Sequence, residues 1–435
     1  MAYTWHVTTY SAVVTTGIYC RPGCGAKPLA ENVRTFELAA AAEAAGFRAC
    51  LRCRPYRVAG PVDARAPELV CRAVQLIIDG VLDDGTEAAL GERLAMSPRH
   101  LRRLFRDHLG VTPDQLARSR RAHFARRLLD DSDLTVADVA FASGFGSLRQ
   151  FNREMREVFR AAPRELRDRR RRADRLAADG GLLMRLPYQP PYDWDAMVDH
   201  LAARAVPGVE SVSDRVYRRT IGLDGGAGVL EIGPGEGDVL MLRAHLPYWE
   251  GLIHVVERAA RLVGVASEPA DRLLRDPLLG PLVVARPGLR VPGAWGALEI
   301  AVQAVTAQDH SLKETRAQLG RLVKECGQPV PGLTDRLTHL FPSAEVLASS
   351  STGIVQSLAA AVADGRVSLE GGSSEVLLAQ LTTVPGLMPD TADWIALRLG
   401  HQDVFPRSLH AEVAAEVSDR WRPHRAVAAT YLTTY

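Results

Sequence analysis

Thr15-Thr16-Gly17-Ile18-Tyr19-Cys20-Arg21-Pro22-Gly23-Cys24 is answered downstream by Gly46-Phe47-Arg48-Ala49-Cys50-Leu51-Arg52-Cys53-Arg54-Pro55. Four cysteines fall into two close pairs, Cys20/Cys24 and Cys50/Cys53, with twenty-five residues between the pairs. Short turns that each present two sulfurs suit a tetrahedral zinc cage. Two disulfides, or four buried apolar thiols, are the other readings of the same spacing. Disulfide-rich chains are usually short and secreted, so the metal reading leads. A closed cage of four cysteines is normally inert, and the spacing alone says only that this segment is stapled.

The chain has 435 residues, too many for one core, so three or four domains are expected. Its 47% apolar and 24% charged content is that of an ordinary globular protein. It shows neither a secretory leader pattern at the start nor an unbroken apolar run of eighteen residues. The cytoplasm is the expected compartment, with no membrane contact and a monomeric chain. The net charge of +2 hides an asymmetry: residues 1–178 carry +9 and the remainder −7. A basic front half is the candidate nucleic-acid face, although a solvated surface reads the same.

Residues 1–58 form the first domain. Trp5 to Ile18, rich in β-branched and aromatic residues, reads as strand, and Glu37 to Ala45 as helix. Ala59 to Pro67, with two prolines and a glycine, reads as linker. Residues 68–172 are helical throughout. Glu87 to Leu94 followed by Ser97 to Arg106 reads as helix, turn, helix, with Ser97 as cap, Pro98 at the first helical position and Leu101, Leu104 and Phe105 as the buried stripe. A second copy runs from Val136 through the Gly144-Phe145-Gly146 turn to Phe159, then Ala162 to Leu166. Arg164 to Arg175 holds seven arginines against three acids and reads as a frayed helix end rather than a phosphate-tracking arm. Ala177 to Gly181 is a linker. From Leu182 the pattern changes: Leu182 to Leu186, Arg215 to Leu223 and Val229 to Gly233 alternate as strands, while Trp194 to Ala205 and Leu252 to Leu262 read as helices.

The strings around the cysteines resemble the zinc domain of Ada-type methylation-response regulators. That resemblance implies that Cys20 accepts a methyl group from a DNA phosphotriester, with Cys24, Cys50 and Cys53 as its fellow zinc ligands. It further implies that Thr16, Arg48 and Arg52 touch the phosphate backbone. Family members carry a longer lead-in ahead of the position of Val13, which implies a reduced phosphotriester grip here. Zinc keeps a thiol as thiolate at neutral pH, and thiolate is the nucleophile. Methylation would turn anionic Cys20 into a neutral thioether and so favour DNA phosphates, coupling repair to a switch. Residues 68–172 resemble the AraC-type DNA-binding domain. That likeness places Arg99, His100, Arg102 and Arg103 on one recognition helix and Ser147, Arg149, Gln150 and Asn152 on the other, facing major-groove edges. RNA polymerase is an expected partner beside double-stranded DNA.

The string His200 to Glu210, with Tyr217-Arg218-Arg219-Thr220, resembles the N-terminal subdomain of AlkA-like glycosylases over residues 182–288. Glu299 to Gln308, Thr338 to Pro342 and Leu381 to Arg398 resemble their helix-hairpin-helix domain over residues 290–435. The expected fold class is therefore multidomain and mainly α. It comprises a small α/β zinc domain, an all-α double helix-turn-helix domain, an α+β subdomain and an all-α helix-hairpin-helix domain.

The family's catalytic aspartate, which stabilises positive charge on the sugar as the base leaves, sits in a DxFPxxDL-like phrase. Here the phrase is Asp403-Val404-Phe405-Pro406-Arg407-Ser408-Leu409-His410, and the acid expected between Ser408 and Leu409 is absent. Ser408 is the nearest polar group, without charge; Asp403 matches the lead of the phrase and not the catalyst. The PGxGPWTA hairpin, whose glycines the resemblance implies let backbone amides approach a DNA phosphate, reads Pro385-Gly386-Leu387-Met388-Pro389-Asp390-Thr391-Ala392, with Gly386 and Met388 at the DNA-contacting positions. Met388 stands where a positive φ would favour glycine, and Asp390 where a tryptophan would wall the base pocket. Asp309 follows Gln308 at the position of the duplex wedge. A retained fold with lost base-excision chemistry is the leading expectation. Two alternatives are an active 3-methyladenine glycosylase fused to the regulator and a zinc- or thiol-sensing regulator without enzymatic action. No Pro-Cys-His-Arg string occurs, so alkylguanine repair is not expected, and Cys71 and Cys326 read as structural.

Overall fold

The stretch expected as one strand up to Ile18 folds back on itself. In the computed structural model, which describes residues 9–21, 24–25, 28–57, 66–83, 85–176, 180–265, 267, 270–334, 336–370 and 372–433, it is a hairpin of β1 (Tyr10–Val13) and β2 (Ile18–Cys20). Gly17 makes the reversal possible: its φ of +64° is left-handed, and its N–H bonds back to the Val13 carbonyl at 2.9 Å. The sheet is completed by β3 (Val33–Phe36) and β4 (Arg48–Ala49) in the order β3-β1-β2-β4, with β4 parallel to β2. Between them α1 (Ala39–Ala44) lays Ala40 into the core of the helices that follow. The linker expected at Ala59–Pro67 lies outside the described residues except for its last two positions, and Ala177–Asp179 lie outside them altogether.

The chain divides into two compact units, Met1–Asp179 with Tyr248–Glu257, and Gly180–Pro247 with Arg258–Tyr435. In the first, α2 (Glu68–Ile78) precedes the pair α3 (Glu87–Arg93) and α4 (Pro98–Leu109); α5 (Pro113–Asp131) leads to the pair α6 (Val136–Ala142) and α7 (Leu148–Phe159), and α8 (Pro163–Asp168) closes the set. Hydroxyl caps start five of these helices: Thr86, Ser97, Thr112, Thr135 and Ser147 each accept a backbone N–H of the first turn. Leu101 and Phe105 are fully buried in the first pair, Phe145 and Phe151 in the second. The long helix α5 packs against both pairs and is buried on every side, so its charged residues Arg121, Arg126 and Asp130 are enclosed and ion-paired.

Arg164 to Arg175 is more ordered than a frayed helix end. Its first residues form α8, Arg170 and Arg175 both pair with Asp133, and the Arg167 guanidinium donates to the Leu134 carbonyl at 2.6 Å. Buried Asp174 accepts from Arg54 at 2.6 Å.

In the second unit five antiparallel strands run in the order β5-β9-β8-β7-β6: β5 (Leu182–Pro187), β6 (Glu210–Ser213), β7 (Val216–Leu223), β8 (Gly226–Pro234) and β9 (Val239–His245). Helix α9 (Trp194–Arg204) packs on β6 and β7. Helix α10 (Leu252–Leu262) follows, its first half belonging to the first unit, and then α11 (Leu279–Ala285). The remaining helices are α12 (Ala297–Ala307), α13 (Leu312–Cys326), α14 (Ala344–Ser350), α15 (Gly353–Ala363), α16 (Ser374–Leu381), α17 (Pro389–Arg398), α18 (Ala415–Asp419) and α19 (Arg425–Thr433). One core gathers Val302, Leu319, Leu358, Leu381 and Ile395; another gathers Leu279, Phe405, Trp421 and Tyr431. No described helix is long and apolar enough to cross a membrane.

Truncating Phe105 to alanine is expected to destabilise the double helix-turn-helix core by about 3–5 kcal/mol. Urea unfolding followed by circular dichroism reads this as a lower midpoint; an unchanged midpoint would contradict the packing described.

Candidate metal centre and nucleic-acid interface

Parallel pairing of β2 with β4 sets Tyr19 opposite Ala49, so Cys20 and Cys50 emerge side by side at one end of the sheet. The Cys50 N–H donates to the Tyr19 carbonyl at 3.0 Å, and the turn that follows is closed by the Arg54 N–H on the Cys50 carbonyl at 3.0 Å. The sulfurs of Cys20, Cys24, Cys50 and Cys53 all lie within 4.8 Å of one another, and none is in a disulfide. A tetrahedron with zinc–sulfur bonds of about 2.3 Å has edges of about 3.8 Å, so the four donors fit a zinc ion. The crowding shows in their proton affinities. Burial, then Cys53 and Cys50, pushes the Cys20 thiol far up, and burial pushes Cys53 up to about 11. Cys50 is held below the usual thiol range against its burial, by hydrogen bonds from the Cys53 and Arg52 backbone. Cys20 is the most enclosed of the four, with 7% of its surface exposed.

Thr16 is exposed on the hairpin turn, and Arg48 is drawn beside that turn by its N–H bond to the Gly17 carbonyl at 2.9 Å. Arg52 is exposed between Cys50 and Cys53. Of the three candidate backbone-contacting residues, Arg52 lies within the cysteine turn, whereas Thr16 and Arg48 lie at the other end of β2 from Cys20.

Two features around the cluster carry no local signal in the sequence. Tyr19, fully buried beside Cys20, donates its hydroxyl to Glu43 at 2.6 Å, and the same Glu43 oxygen lies 2.6 Å from His123 Nε2 on α5. Next to Cys53, Arg54 sits at a φ of +52° with its guanidinium buried against Asp174 and, at 3.7 Å, Asp130. Arg57 reaches Asp131 at 2.7 Å and Asp130 at 3.4 Å, and Arg126 pairs with Asp130 at 2.8 Å. Both cysteine-bearing segments are therefore fastened to α5. Their partners are distant in sequence, which is why spacing alone could not show them.

On α4, Arg99, His100, Arg102 and Arg103 are all exposed. Arg102 pairs with Glu87, and Arg103 approaches His100 Nδ1 at 2.9 Å. On α7, Arg149 is exposed, while the exposed Ser147 hydroxyl is committed to capping the Gln150 N–H at 3.2 Å. Gln150 and Asn152 are half-buried, and the Asn152 amide donates to the Leu148 carbonyl at 2.8 Å. Arg99 and Arg149 are the long cations of these first turns that carry no ion pair among the described residues.

At the hairpin before α17, Gly386 has the left-handed φ of +83°. Met388 does not: its φ is −74° and ψ 144°, extended backbone that any residue adopts. The expectation that this position wants glycine is thus overturned. The Gln308 side chain ties the hairpin to the end of α12, donating to the Gly386 carbonyl at 2.9 Å and accepting from the Met388 N–H at 3.0 Å. Asp309 beside it is exposed.

The acids around exposed Ser408 are engaged. Asp390 accepts the Ser408 N–H at 2.7 Å, and buried Asp393 accepts the Arg407 N–H and Nε, both at 3.2 Å. Asp403 is held by Arg422 and, at 2.9 Å, by Arg425. Burial raises the Asp393 carboxyl, against the opposing pull of Arg407.

A family model described as the metal binding domain of Ada matches residues 5–56, one described as a helix-turn-helix domain matches 90–169, and one described as the AlkA N-terminal domain matches 183–296. A Mycobacterium tuberculosis protein named "Probable bifunctional transcriptional activator/DNA repair enzyme AlkA" is 38% identical over 456 aligned positions, covering 97% of this chain and 92% of its own. This chain belongs to that family of bifunctional transcriptional activators and DNA repair enzymes. The two halves also match separately. Escherichia coli DNA-3-methyladenine glycosylase 2 is 30% identical over 57% of this chain and 95% of its own. The E. coli bifunctional transcriptional activator/DNA repair enzyme Ada is 35% identical over 36% of this chain and 43% of its own. The family combines a zinc-binding Ada module, a DNA-binding helix-turn-helix module and an AlkA-like glycosylase fold, and the cysteine cluster described above falls in the first of them.

The purified protein is expected to carry one zinc ion per chain, and Cys50→Ser or Cys53→Ser to lose most of it, measured by atomic emission. A metal-free wild type of native fold would contradict the site.

Proposed function

We propose that this family member repairs DNA methylphosphotriesters at Cys20 and uses the resulting charge change to regulate transcription. The observation that carries the reading is the gathering of four sulfurs within 4.8 Å on a sheet end fastened to the helix-turn-helix spine. A bound zinc ion would be held by Cys20, Cys24, Cys50 and Cys53, and would keep the sulfurs as thiolates at neutral pH. The Cys20 sulfur then forms a bond to the methyl carbon as that carbon's bond to the phosphotriester oxygen breaks, and the oxygen leaves with the electron pair as a phosphodiester anion. The alkylated phosphate is uncharged before transfer and so does not repel the thiolates. Afterwards Cys20 is a neutral thioether, and the cluster is one negative charge poorer. Thr16, Arg48 and Arg52 position the backbone around this event. Arg99, His100, Arg102 and Arg103 on α4, with Ser147, Arg149, Gln150 and Asn152 on α7, meet the promoter, Arg99 and Arg149 contributing most of the base readout.

In this reading the modules run over residues 1–58, 68–172, 182–288 and 290–435. The chain acts as a cytoplasmic monomer on double-stranded DNA and contacts RNA polymerase. The glycosylase-like domain is degenerate as a base-excision catalyst: Ser408 is neutral, Asp390, Asp393 and Asp403 are engaged in structural bonds, Met388 caps a helix, and Asp309 presents an anion where a wedge is needed. Gly386 keeps the turn without completing the site.

Intact-protein mass spectrometry after incubation with methylphosphotriester DNA is expected to show a gain of one methylene, abolished in Cys20→Ala. No gain in the zinc-loaded wild type would leave a non-enzymatic regulator. In a separate assay on alkylated duplex DNA, release of 3-methyladenine is expected to match a protein-free control, and release above it would restore the active glycosylase.

A further inference from the structure

The second unit contains a small cleft, open to solvent, that none of the chemistry above uses. Its lining includes His200 and Arg204 from α9, Arg219 from β7, Trp295 and Glu299 at the start of α12, and Arg398 at the end of α17. The hairpin lies at the opposite ends of these last two helices, Gln308 following α12 and Met388 preceding α17. Ten residues of α17 put about 15 Å between the cleft and the hairpin.

The acids of the cleft are spent. Glu299 binds Arg219 at 2.8 Å, and Glu210 accepts from the Val206 N–H at 2.9 Å, from the Tyr217 hydroxyl, and lies 3.5 Å from Arg219. Arg219 also faces the Trp295 ring at 4.9 Å, so this cation is satisfied three times over.

Arg204 and Arg398 have no such partners. Neither forms an ion pair among the described residues. Arg398 donates Nη2 to the Gly293 carbonyl at 2.9 Å, while its buried Nε has no hydrogen-bond acceptor. Arg204 Nη1 lies 3.2 Å from His200 Nδ1. A guanidinium can only donate, so Nδ1 accepts and the imidazole proton sits on Nε2. That Nε2 is also buried without a partner. Burial, then Arg398 and Arg204, pushes His200 down to about 2, which keeps the ring neutral, and burial followed by Arg204 pushes Arg398 down to about 10. The cleft therefore collects N–H donors and surplus positive charge, and Arg398 Nε and His200 Nε2 have no acceptor among the described residues, a combination that an anion would complete.

We propose that the cleft is a phosphate site, with Arg398 Nε and His200 Nε2 donating to the oxyanion from within and the exposed Arg204 closing over it from the rim. The shared chemistry is a phosphate monoester or orthophosphate dianion, bound by charge-assisted hydrogen bonds in a recess too remote from the hairpin to be its backbone contact.

Isothermal titration of the full chain with orthophosphate, at constant ionic strength set with sodium chloride, tests this. Saturable binding is expected, weakened about tenfold or more in Arg204→Met and in His200→Phe, the loss expected for one hydrogen bond to a charged group. Arg398→Gln should behave likewise; where it fails to fold by circular dichroism, the rim variant Arg204→Met decides. Titration with thymidine 5′-monophosphate identifies the source: tighter binding than orthophosphate assigns the site to a nucleotide phosphate, and equal or weaker binding to the free ion. Both results support the site. Absence of saturable binding, or equal affinity in wild type, Arg204→Met and His200→Phe, overturns it.

Discussion

A charge taken out of water survives only where an opposite charge goes with it, and this rule binds the front half of the molecule together. Arg54, Arg57 and Arg126 are enclosed with Asp130, Asp131 and Asp174, three cations with three anions drawn from three separate segments. Removing one partner from such a set costs about 3–5 kcal/mol, because it leaves a buried charge uncompensated. The cysteine turn that ends at Cys53 is therefore held against α5 by a set of bonds that cannot be given up one at a time. Tyr19, Glu43 and His123 fix the other cysteine strand to the same helix. Chemistry at the sulfurs and presentation of α4 and α7 share one rigid support.

Under the proposed methyl transfer, that arrangement would give a charge change at Cys20 a route to the duplex. A thiolate that became a thioether would remove a negative charge from the cluster that flanks Arg52 without moving the scaffold. Electrostatic attraction to phosphates is long-ranged compared with a hydrogen bond, though screened by salt. The response needs no large rearrangement, only a protein that holds its basic surface and its sulfur cluster in one frame.

Much of this was legible in the chain. The cysteine spacing and its flanking words pointed to the metal cluster, and Ser97-Pro98 marked the start of a recognition helix because cap chemistry is local. What failed to show was non-local or conformational. Gly17 breaks a stretch that looks like one strand, since its left-handed turn outweighs the β propensity around it. In the arginine run that begins in α8, Arg170 and Arg175 look unpaired until folding brings Asp133 to them. Met388 looked like a lost glycine, yet the backbone there is extended and ends at a helix cap. The buried ion set could not be read at all, because its members are scattered from residue 54 to residue 174. In the glycosylase-like half the departures from the family words lie in the hairpin before α17 and in the phrase from Asp403 to His410.

The central claim is that loss of charge at Cys20 strengthens DNA binding through an intact frame. Fluorescence anisotropy of an operator duplex with unmodified and Cys20-methylated protein, across a range of salt concentrations, tests it most directly. Tighter binding by the methylated form, with an advantage that shrinks as salt rises, is the predicted result. Equal affinities at low salt would contradict the account.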